Sequence, residues 1–338
     1  MNVKKLLKDL SLFFPFRQRR IFFIYTHNNV NHRFFNGLTA NTEISYWTQT
    51  GLQSAFSHVQ FLRLQGEKQF RINQITPKDV VIGHPGETYR KAALRTKRLI
   101  AFYPWCGHED RVRTHQPNCS NLEQELNDLK NAQSIVFLTS EYNVKTYIQT
   151  PTNFWHDICQ KKSVKWVFQP IDLTQFSRIK TSYTTNDFLY IGNNNHMKCL
   201  DASISLVKEV GKKLTIYGIK KKIDNRKTQT VSQLAEKADF FIQPGMWEGQ
   251  CVSILEAAAR GFIPLVSKET GYPYDHPYLL RYNDYPHNLS ILKNVLKTSP
   301  QERKELGDDL HHRLKNDPNH NDWNQLVNVL VEEVRNVF

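Results

Sequence analysis

The sequence predicts an α/β protein built from two doubly wound domains, each a parallel sheet covered by helices on both faces. Short apolar segments of strand length alternate with helical segments along most of the chain, a pattern typical of buried parallel sheets. The alternation stops at a polar stretch rich in Thr and Ser, residues 178–187, and then restarts. With 338 residues and a hydrophobic content of 40%, the chain is long and apolar enough for two cores.

The first half contains six apolar segments that we interpret as strands. They are short, rich in β-branched and aromatic residues and bounded by polar or glycine positions. They are Ile21–Tyr25, Val59–Leu64, Asp79–Gly83, Arg98–Phe102, Ser134–Leu138 and Val164–Phe168. Helices are predicted at 122–130 and 141–148. We therefore assign residues 21–180 to the first domain and interpret 178–187 as a linker.

The second half repeats the pattern with four strands and two helices between them. The predicted strands are Phe188–Gly192, Lys213–Gly218, Asp239–Gln243 and Phe262–Val266. Helices are predicted at 200–210 and at 254–260, the latter ended by Gly261. Residues 187–322 form the second domain, and 323–338 have the spacing of a C-terminal helix. Ligands of such sheets bind beyond the carboxyl ends of the strands, and a cleft between the domains is also available.

The first twenty residues have the pattern of a basic amphipathic helix. Val3, Leu6, Leu7 and Leu10 recur at helical spacing, and residues 1–20 carry six Lys and Arg against one Asp. Such a helix can lie in the interface of an anionic membrane. The same pattern also occurs in helices that pack on their own protein, and the sequence leaves both interpretations open.

The net charge of +13 is concentrated in the first half of the chain. Residues 1–180 hold 25 Lys and Arg against 13 Asp and Glu, whereas residues 181–338 hold 20 against 19. A basic half indicates an anionic partner, which can be a membrane surface, an acidic acceptor or nucleic acid.

Several classes of protein are disfavoured by the sequence. No apolar run reaches the ~18 residues of a transmembrane helix, and no small-residue cleavage site follows the basic N-terminus, so a signal peptide is not expected. The five cysteines are scattered and odd in number, which fits a reducing cytoplasm better than a disulfide framework. A nucleotide hydrolase is disfavoured because the phosphate-binding pattern G-x-x-x-x-G-K-[ST] is missing.

The most informative segment is 240–261, where a strand leads into a loop and the loop into an Ala-rich helix. Ser253 is a candidate N-cap with Glu256 three residues later, the spacing of a capping box. Backbone N–H groups and the helix dipole would form an anion site here. Glu248 in the loop and Glu256 in the first turn are suited to accept hydrogen bonds from sugar hydroxyls. A phosphate site beside two carboxylates indicates a nucleotide-sugar pocket.

These residues resemble a known family. Glu248 and Glu256, separated by seven intervening residues and followed by Ala-Ala-Ala-Arg-Gly, resemble the Glu-x7-Glu signature of retaining GT-B glycosyltransferases, in particular family 4. The strand at 188–192 followed by Lys198 is similar to the family's first C-terminal strand and its basic phosphate ligand. Further similar segments lie at 131–140 and 167–176. The resemblance implies two Rossmann-like domains facing a central cleft, with the C-terminal helix crossing back onto the first domain.

The resemblance also implies roles for individual residues. Glu256 would bind the ribose hydroxyls, and Glu248 would face the hydroxyls of the donor sugar. Lys198 would neutralise the leaving diphosphate, and His108 would lie near the reacting anomeric carbon. The backbone N–H groups that would hold the sugar and diphosphate belong to Gly249, Gln250, Cys251, Val252 and Ser253.

The sequence departs from the family pattern at three places. Asn193 stands where the family often has Arg, and Cys199 stands where the family usually has the Gly that follows the Lys. His27-Asn28-Asn29 replaces the Gly-Gly of the first loop.

Metal and cofactor are not expected. The sequence contains no Asp-x-Asp motif of the kind used by metal-dependent glycosyltransferases. A zinc site is conceivable by residue type at Cys106, His108, His115 and Cys119, but their spacing matches no strong template. The nucleotide sugar would enter as a substrate.

The sequence therefore predicts a metal-independent, retaining glycosyltransferase that transfers a sugar from a nucleotide sugar to a glycan or lipid-linked acceptor. We expect it in the cytoplasm, with the basic N-terminal segment available for the inner face of an anionic membrane. One alternative is a nucleic-acid-binding protein that uses the basic first domain, although no zinc-finger, RNP or helix-turn-helix signature is visible, so no nucleic-acid partner is expected. The other alternative keeps the GT-B fold but makes the protein a nucleotide-sugar epimerase.

Overall fold

The computed structural model describes residues 20–24, 50–56, 60–64, 72–102, 127–148, 156–168, 170–171, 173, 176–192, 198–217, 233–245, 252–321 and 323–338. Within these residues the chain forms two parallel sheets. The strands of both sheets are short and mostly apolar, and most of them are buried because helices cover both faces of the sheets.

The first sheet contains the six strands predicted from the first half, each within one residue of its predicted bounds. They are β1 (Arg20–Ile24), β2 (Gln60–Leu64), β3 (Val80–Gly83), β4 (Leu99–Phe102), β5 (Ser134–Leu138) and β6 (Ser163–Val167). The order is β2-β1-β3-β4-β5-β6, and all pairings are parallel.

The second sheet contains the four strands predicted from the second half, again within one residue. They are β7 (Phe188–Ile191), β8 (Leu214–Tyr217), β9 (Phe240–Gln243) and β10 (Ile263–Val266). Their order is β10-β9-β7-β8, with parallel pairing throughout.

Helices connect the strands and cover the sheets. Their bounds are α1 (Glu87–Ala93), α2 (Glu141–Asn143, continued by a π-helical turn at Val144–Ile148), α3 (His156–Cys159), α4 (Leu200–Glu209), α5 (Val252–Ala259), α6 (Tyr285–Val295), α7 (Pro300–Asn316), α8 (Pro318–Asn321) and α9 (Trp323–Val337). The predicted helix at 122–130 is described only from residue 127, and it continues to residue 131.

The C-terminal helix α9 packs against the first sheet, although it follows the second sheet in the chain. Leu326, Leu330 and Val334 are buried in one cluster with Ile21 and Ile100, which lie on one face of that sheet. The opposite face of the first sheet carries a separate cluster. The apolar stripe of α9 thus completes the covering of the first sheet.

The polar segment 178–187 is held firmly on the second sheet's side of the chain, which differs from the predicted linker. Lys180 is buried, and its ammonium lies 2.7 Å from Asp239 Oδ1 and 2.7 Å from the Ala235 carbonyl. The buried Tyr183 hydroxyl donates to the carbonyl of Gly261. The polar side chains of Lys180 and Tyr183 make these contacts because buried polar groups require hydrogen-bond partners.

Candidate active site

The second sheet contains a switch point between β7 and β9. The chain passes from β7 to β8 on one side of the sheet and from β9 to β10 on the other. Connections that leave in opposite directions open a crevice between the two carboxyl ends, and this is where doubly wound sheets bind ligands. The predicted donor-site residues lie on the two connections that begin at this crevice.

One wall of the crevice follows β7. Gly192 comes directly after the strand, and Lys198 precedes α4. A Cβ atom on Gly192 would lie only 3.0 Å from Lys198 Cδ, so the lysine side chain passes closely over this glycine. Cys199, next in the chain, has a left-handed backbone with φ 50°. This geometry holds a cation beside the carboxyl end of β7.

The other wall follows β9 and consists of α5. Ile254, Leu255 and the three alanines of this helix are buried in the core, whereas Val252, Ser253 and Glu256 are only partly buried. Ser253 and Glu256 are three residues apart and therefore share a face of the helix. The N-terminal end of α5 thus presents a hydroxyl and a carboxylate outside the core, next to the strand end.

The structure corrects one detail of this helix. The sequence suggested Ser253 as the N-cap, but α5 already includes Val252. An N-cap residue has a non-helical backbone, so Ser253 lies inside the first turn and the capping-box interpretation fails. Its position still places the Ser253 N–H among the first four of the helix, which have no partner within the helix.

The loop between β9 and α5 is tied down where it starts. The buried Ser267, which follows β10, donates from its hydroxyl to the carbonyl of Gly245. This contact links the carboxyl ends of the two neighbouring strands β9 and β10. It fixes the point from which the segment containing Glu248 departs.

Several predicted site residues lie outside the described residues. They are His108, Glu248, Gly249, Gln250 and Cys251, together with Cys106, His115 and Cys119 of the considered zinc cluster. The structure brings Lys198, Val252, Ser253 and Glu256 to the carboxyl end of the second sheet. The roles of all nine candidate residues remain predictions.

The first sheet has its own switch point, and it contains a residue that the sequence reasoning missed. The chain leaves β1 towards β2 and leaves β3 in the opposite direction. His84 follows β3 directly and is partly buried at this point. Gly83, the last residue of β3, leaves room for the Ile24 side chain of β1, because a Cβ on Gly83 would lie 3.1 Å from Ile24 Cγ1. The segment His84-Pro85-Gly86 between a buried strand and α1 was the available sequence signal.

The carboxyl edges of the two sheets are in contact at one side. The Tyr142 hydroxyl, in α2 after β5, donates to Glu269 Oε1 after β10 at 3.4 Å. Burial, followed by the charge of Glu269, raises the pKa of Tyr142. Tyr282 of the second half also packs on a core cluster of the first sheet. The two candidate regions therefore lie at edges that contact each other.

Neither a metal site nor a membrane-spanning helix is found among the described residues. No group of three or more His, Cys, Asp or Glu side chains in that part of the chain could hold a metal ion. No helix within it has the length and apolar character needed to cross a membrane.

Comparisons by sequence find no relative. No protein-family model matches the chain, and a search of curated proteins finds no match.

Comparisons by structure identify the fold. A sucrose-phosphate synthase from Thermosynechococcus elongatus is similar over 95% of this chain and 99% of its own, with a TM-score of 0.64 and 12% identity. TarM is similar over 77% of this chain and 55% of its own, with a TM-score of 0.55 and 12% identity. An alpha-glucosyltransferase bound to UDP and a 13-mer DNA is similar over 94% of this chain and 100% of its own, with a TM-score of 0.51 and 11% identity. The chain therefore has the GT-B fold of two Rossmann-like domains that these glycosyltransferases share.

Proposed function

We propose that this protein is a retaining glycosyltransferase that uses a nucleotide-sugar donor and a glycan or lipid-linked acceptor, without a metal ion. The observation that carries the proposal is the switch point of the second sheet. There Lys198 follows one strand and the N-terminal turn of α5, with Ser253 and Glu256, follows its neighbour. The similarity to solved glycosyltransferases supports the fold on which this site is placed.

The chemistry at this point suits a diphosphate leaving group. Negative charge accumulates on the diphosphate as the bond to the sugar breaks. A cation such as Lys198 and the N–H groups at the start of α5 stabilise that charge more in the transition state than in the ground state. Glu256, on the same helix, accepts hydrogen bonds from ribose hydroxyls, and Glu248 does so from the sugar. His84 and His108 are the candidates on the first domain for contact with the reacting groups.

The test begins with the donor. Turnover of UDP, GDP, ADP and CMP sugars is followed as release of free nucleotide, with and without added glycan or lipid-linked acceptors. Glu256→Gln removes the charge and keeps the shape, so turnover is expected to fall by tenfold or more, since a charged hydrogen bond contributes roughly 1.5–3 kcal/mol.

The matched control is Glu236→Gln, an exposed glutamate of the same half of the chain. It should leave turnover unchanged, and neither variant should shift the thermal midpoint by more than a degree or two. Equal kinetics for Glu256→Gln and wild type would assign Glu256 a purely structural role. Conversion of the donor sugar without acceptor would favour the epimerase alternative.

Metal independence has its own test. If Lys198 and the start of α5 neutralise the diphosphate, activity should persist in excess EDTA. Complete loss in EDTA that Mn²⁺ or Mg²⁺ restores would contradict this part of the proposal. The matched control is a chelator-treated sample to which Ca²⁺ is returned, which separates loss of a catalytic metal from a general effect of the chelator.

The proposed location is the cytoplasm, with residues 1–20 docking reversibly on the inner face of a membrane. Five of their six cations and the apolar stripe support this, whereas the sixth, Arg20, is buried in an ion pair with Asp79. Removal of residues 1–18 should weaken binding to anionic vesicles, and identical binding of both chains would contradict it.

A further inference from the structure

A second basic surface lies on the folded part of the first domain, at the amino-terminal edge of its sheet. The chain enters β3, β4, β5 and β6 through loops at 76–79, 94–98, 130–133 and 160–162. Because the strands are parallel and in register, all four loops lie along one edge. The cations in these loops are Lys78, Arg95, Lys97, Arg98, Lys130, Lys161 and Lys162.

Six of these cations are not neutralised by a carboxylate of the described residues. The four loops contain one acidic residue, Asp79, which is buried in an ion pair with Arg20 at 2.7 Å. Within the described part of the chain, no carboxylate pairs with the cations that follow: Arg95, Lys97, Arg98, Lys130, Lys161 and Lys162.

Two of the polar contacts that the cations make run between neighbouring loops. Arg98 Nη1 donates to the Lys78 carbonyl at 3.0 Å, and Lys162 Nζ donates to the Lys130 carbonyl at 2.9 Å. These bonds hold positive charge along the edge without cancelling it. Adjacent strands are about 4.8 Å apart, so the row from β3 to β6 extends over roughly 15 Å.

An exposed apolar side chain lies within this row. Leu94, at the end of α1, is 86% exposed, the highest value among the large hydrophobic residues described. It directly precedes Arg95 and lies three residues before Lys97. An exposed leucine gains free energy by entering the acyl boundary of a bilayer, whereas a nucleic-acid backbone offers it no comparable environment.

The edge is also continuous with the basic N-terminal sequence. Arg20 begins β1, and the Arg20–Asp79 ion pair places the start of β1 beside the loop before β3. Residues 1–20 therefore join the fold at the same edge. The equivalent edge of the second sheet lacks this character, because Lys212, Lys213 and Lys237 alternate there with Asp187 and Glu236.

We propose that the loops at 76–79, 94–98, 130–133 and 160–162, hereafter the basic edge, dock on an anionic lipid bilayer with Leu94 inserted at the interface. The proposal is independent of the reaction catalysed. The basic edge lies at the opposite end of the first sheet from its carboxyl edge, which contacts the carboxyl edge of the second sheet through Tyr142 and Glu269, so docking leaves the candidate site open. An acceptor anchored in the same membrane must extend by at least a strand length, ~17 Å, to reach it.

The test is co-sedimentation of the full chain with vesicles of phosphatidylcholine alone and of equal parts phosphatidylcholine and phosphatidylglycerol, at low and high salt. The triple variant Arg95→Gln, Lys97→Gln, Lys161→Gln should lower partitioning on anionic vesicles by on the order of a hundredfold at low salt. The matched control, Lys212→Gln, Lys213→Gln, Lys237→Gln, removes the same charge from the second domain and should change partitioning less than about twofold.

The apolar contribution has a separate pair of variants. Leu94→Ser should lower partitioning by about tenfold. Ile204→Ser, which alters a partly exposed apolar residue on α4, should leave it unchanged. Thermal midpoints of the charge variants and of Leu94→Ser should equal that of the wild type, because those side chains are exposed.

Three results would overturn the proposal. In the first, the triple variant binds like the wild type while removal of residues 1–18 abolishes binding, so that the N-terminal segment acts alone. In the second, no form of the chain binds anionic vesicles at low salt. In the third, the triple variant loses binding to a DNA or RNA duplex and vesicle binding is independent of Leu94, which would assign the basic edge to nucleic acid.

Discussion

Cys199 holds an unusual backbone conformation. Its backbone is left-handed at φ 50°, a region that glycine occupies readily. A residue with a Cβ pays roughly 1 kcal/mol in this region. The strain lies beside Lys198, at the start of α4.

His276 makes stability depend on pH. Burial lowers its pKa to about 4, and this outweighs the opposing effects of the Pro264 backbone and the Asp275 carboxylate. In the unfolded chain a histidine has a pKa of about 6.5. Between these values the unfolded state binds the proton and the folded state does not, so stability decreases as the pH falls through this window.

Between pH 7 and pH 5, we therefore expect the free energy of unfolding of the wild type to decrease by about 2 kcal/mol more than that of His276→Gln, because glutamine has no titrating ring. Urea denaturation of both chains across this range measures the difference. If the free energies of unfolding of the two proteins changed in parallel with pH, His276 would be solvated in the folded state.

At the scale of single elements, α7 depends on one close contact. Gly307 faces the buried ring of Tyr183, and a Cβ on Gly307 would lie 2.7 Å from Tyr183 Cζ. Alanine is the better helix former by about 1 kcal/mol, yet no space exists for its methyl group. Gly307→Ala should therefore destabilise the protein by about 1–3 kcal/mol, as measured by urea denaturation.

A double-mutant cycle identifies the cause. Tyr183→Phe removes the hydroxyl that the new methyl group meets first, so the cost of Gly307→Ala should be smaller in the Tyr183→Phe background. Equal costs in both backgrounds, or a stabilised Gly307→Ala, would mean that Tyr183 does not restrict this face of α7.

Elements differed in how well the sequence predicted them. All ten strands described were predicted within one residue, because short apolar runs between polar segments carry a strong signal. Helices α1, α3, α6, α7 and α8 were not predicted. In α7 only Arg303, Gly307, Leu310 and Leu314 are buried, so its apolar stripe is too sparse to stand out from a polar segment.

At the scale of the molecule, the contact between Tyr142 and Glu269 connects the carboxyl edges of the two sheets. Loss of this hydrogen bond should favour arrangements in which the edges separate. Tyr142→Phe is expected to increase the radius of gyration in X-ray scattering and to lower kcat/KM by about two- to tenfold, the effect of a bond of roughly 0.5–1.5 kcal/mol.

Tyr278→Phe is the matched control. Tyr278 is also partly buried, but it packs in a cluster of the second sheet away from this contact. It should change neither the scattering nor the kinetics. A Tyr142→Phe protein indistinguishable from this control would show that the hydrogen bond does not bias the arrangement.

The sequence by itself determined the two-sheet α/β architecture, the strands and the position of the Glu-x7-Glu segment. These features are encoded locally, in hydrophobic runs and in the order of strand, loop and helix. The end of α5 is also encoded locally, because Gly261, just beyond the helix, has a φ of 93°, a left-handed value that favours glycine.

Only the tertiary structure decided which strand ends are neighbours. The order of the second sheet brings Lys198 and Glu256, far apart in sequence, to one switch point, and the order of the first sheet places His84 at the other. It also aligned basic residues from four separate loops along the basic edge, and it anchored the polar segment 178–187, expected as a linker, in the second domain through the buried Lys180 and Tyr183. The physical reason is that strand order and burial depend on contacts between distant segments, which no local pattern of residues records.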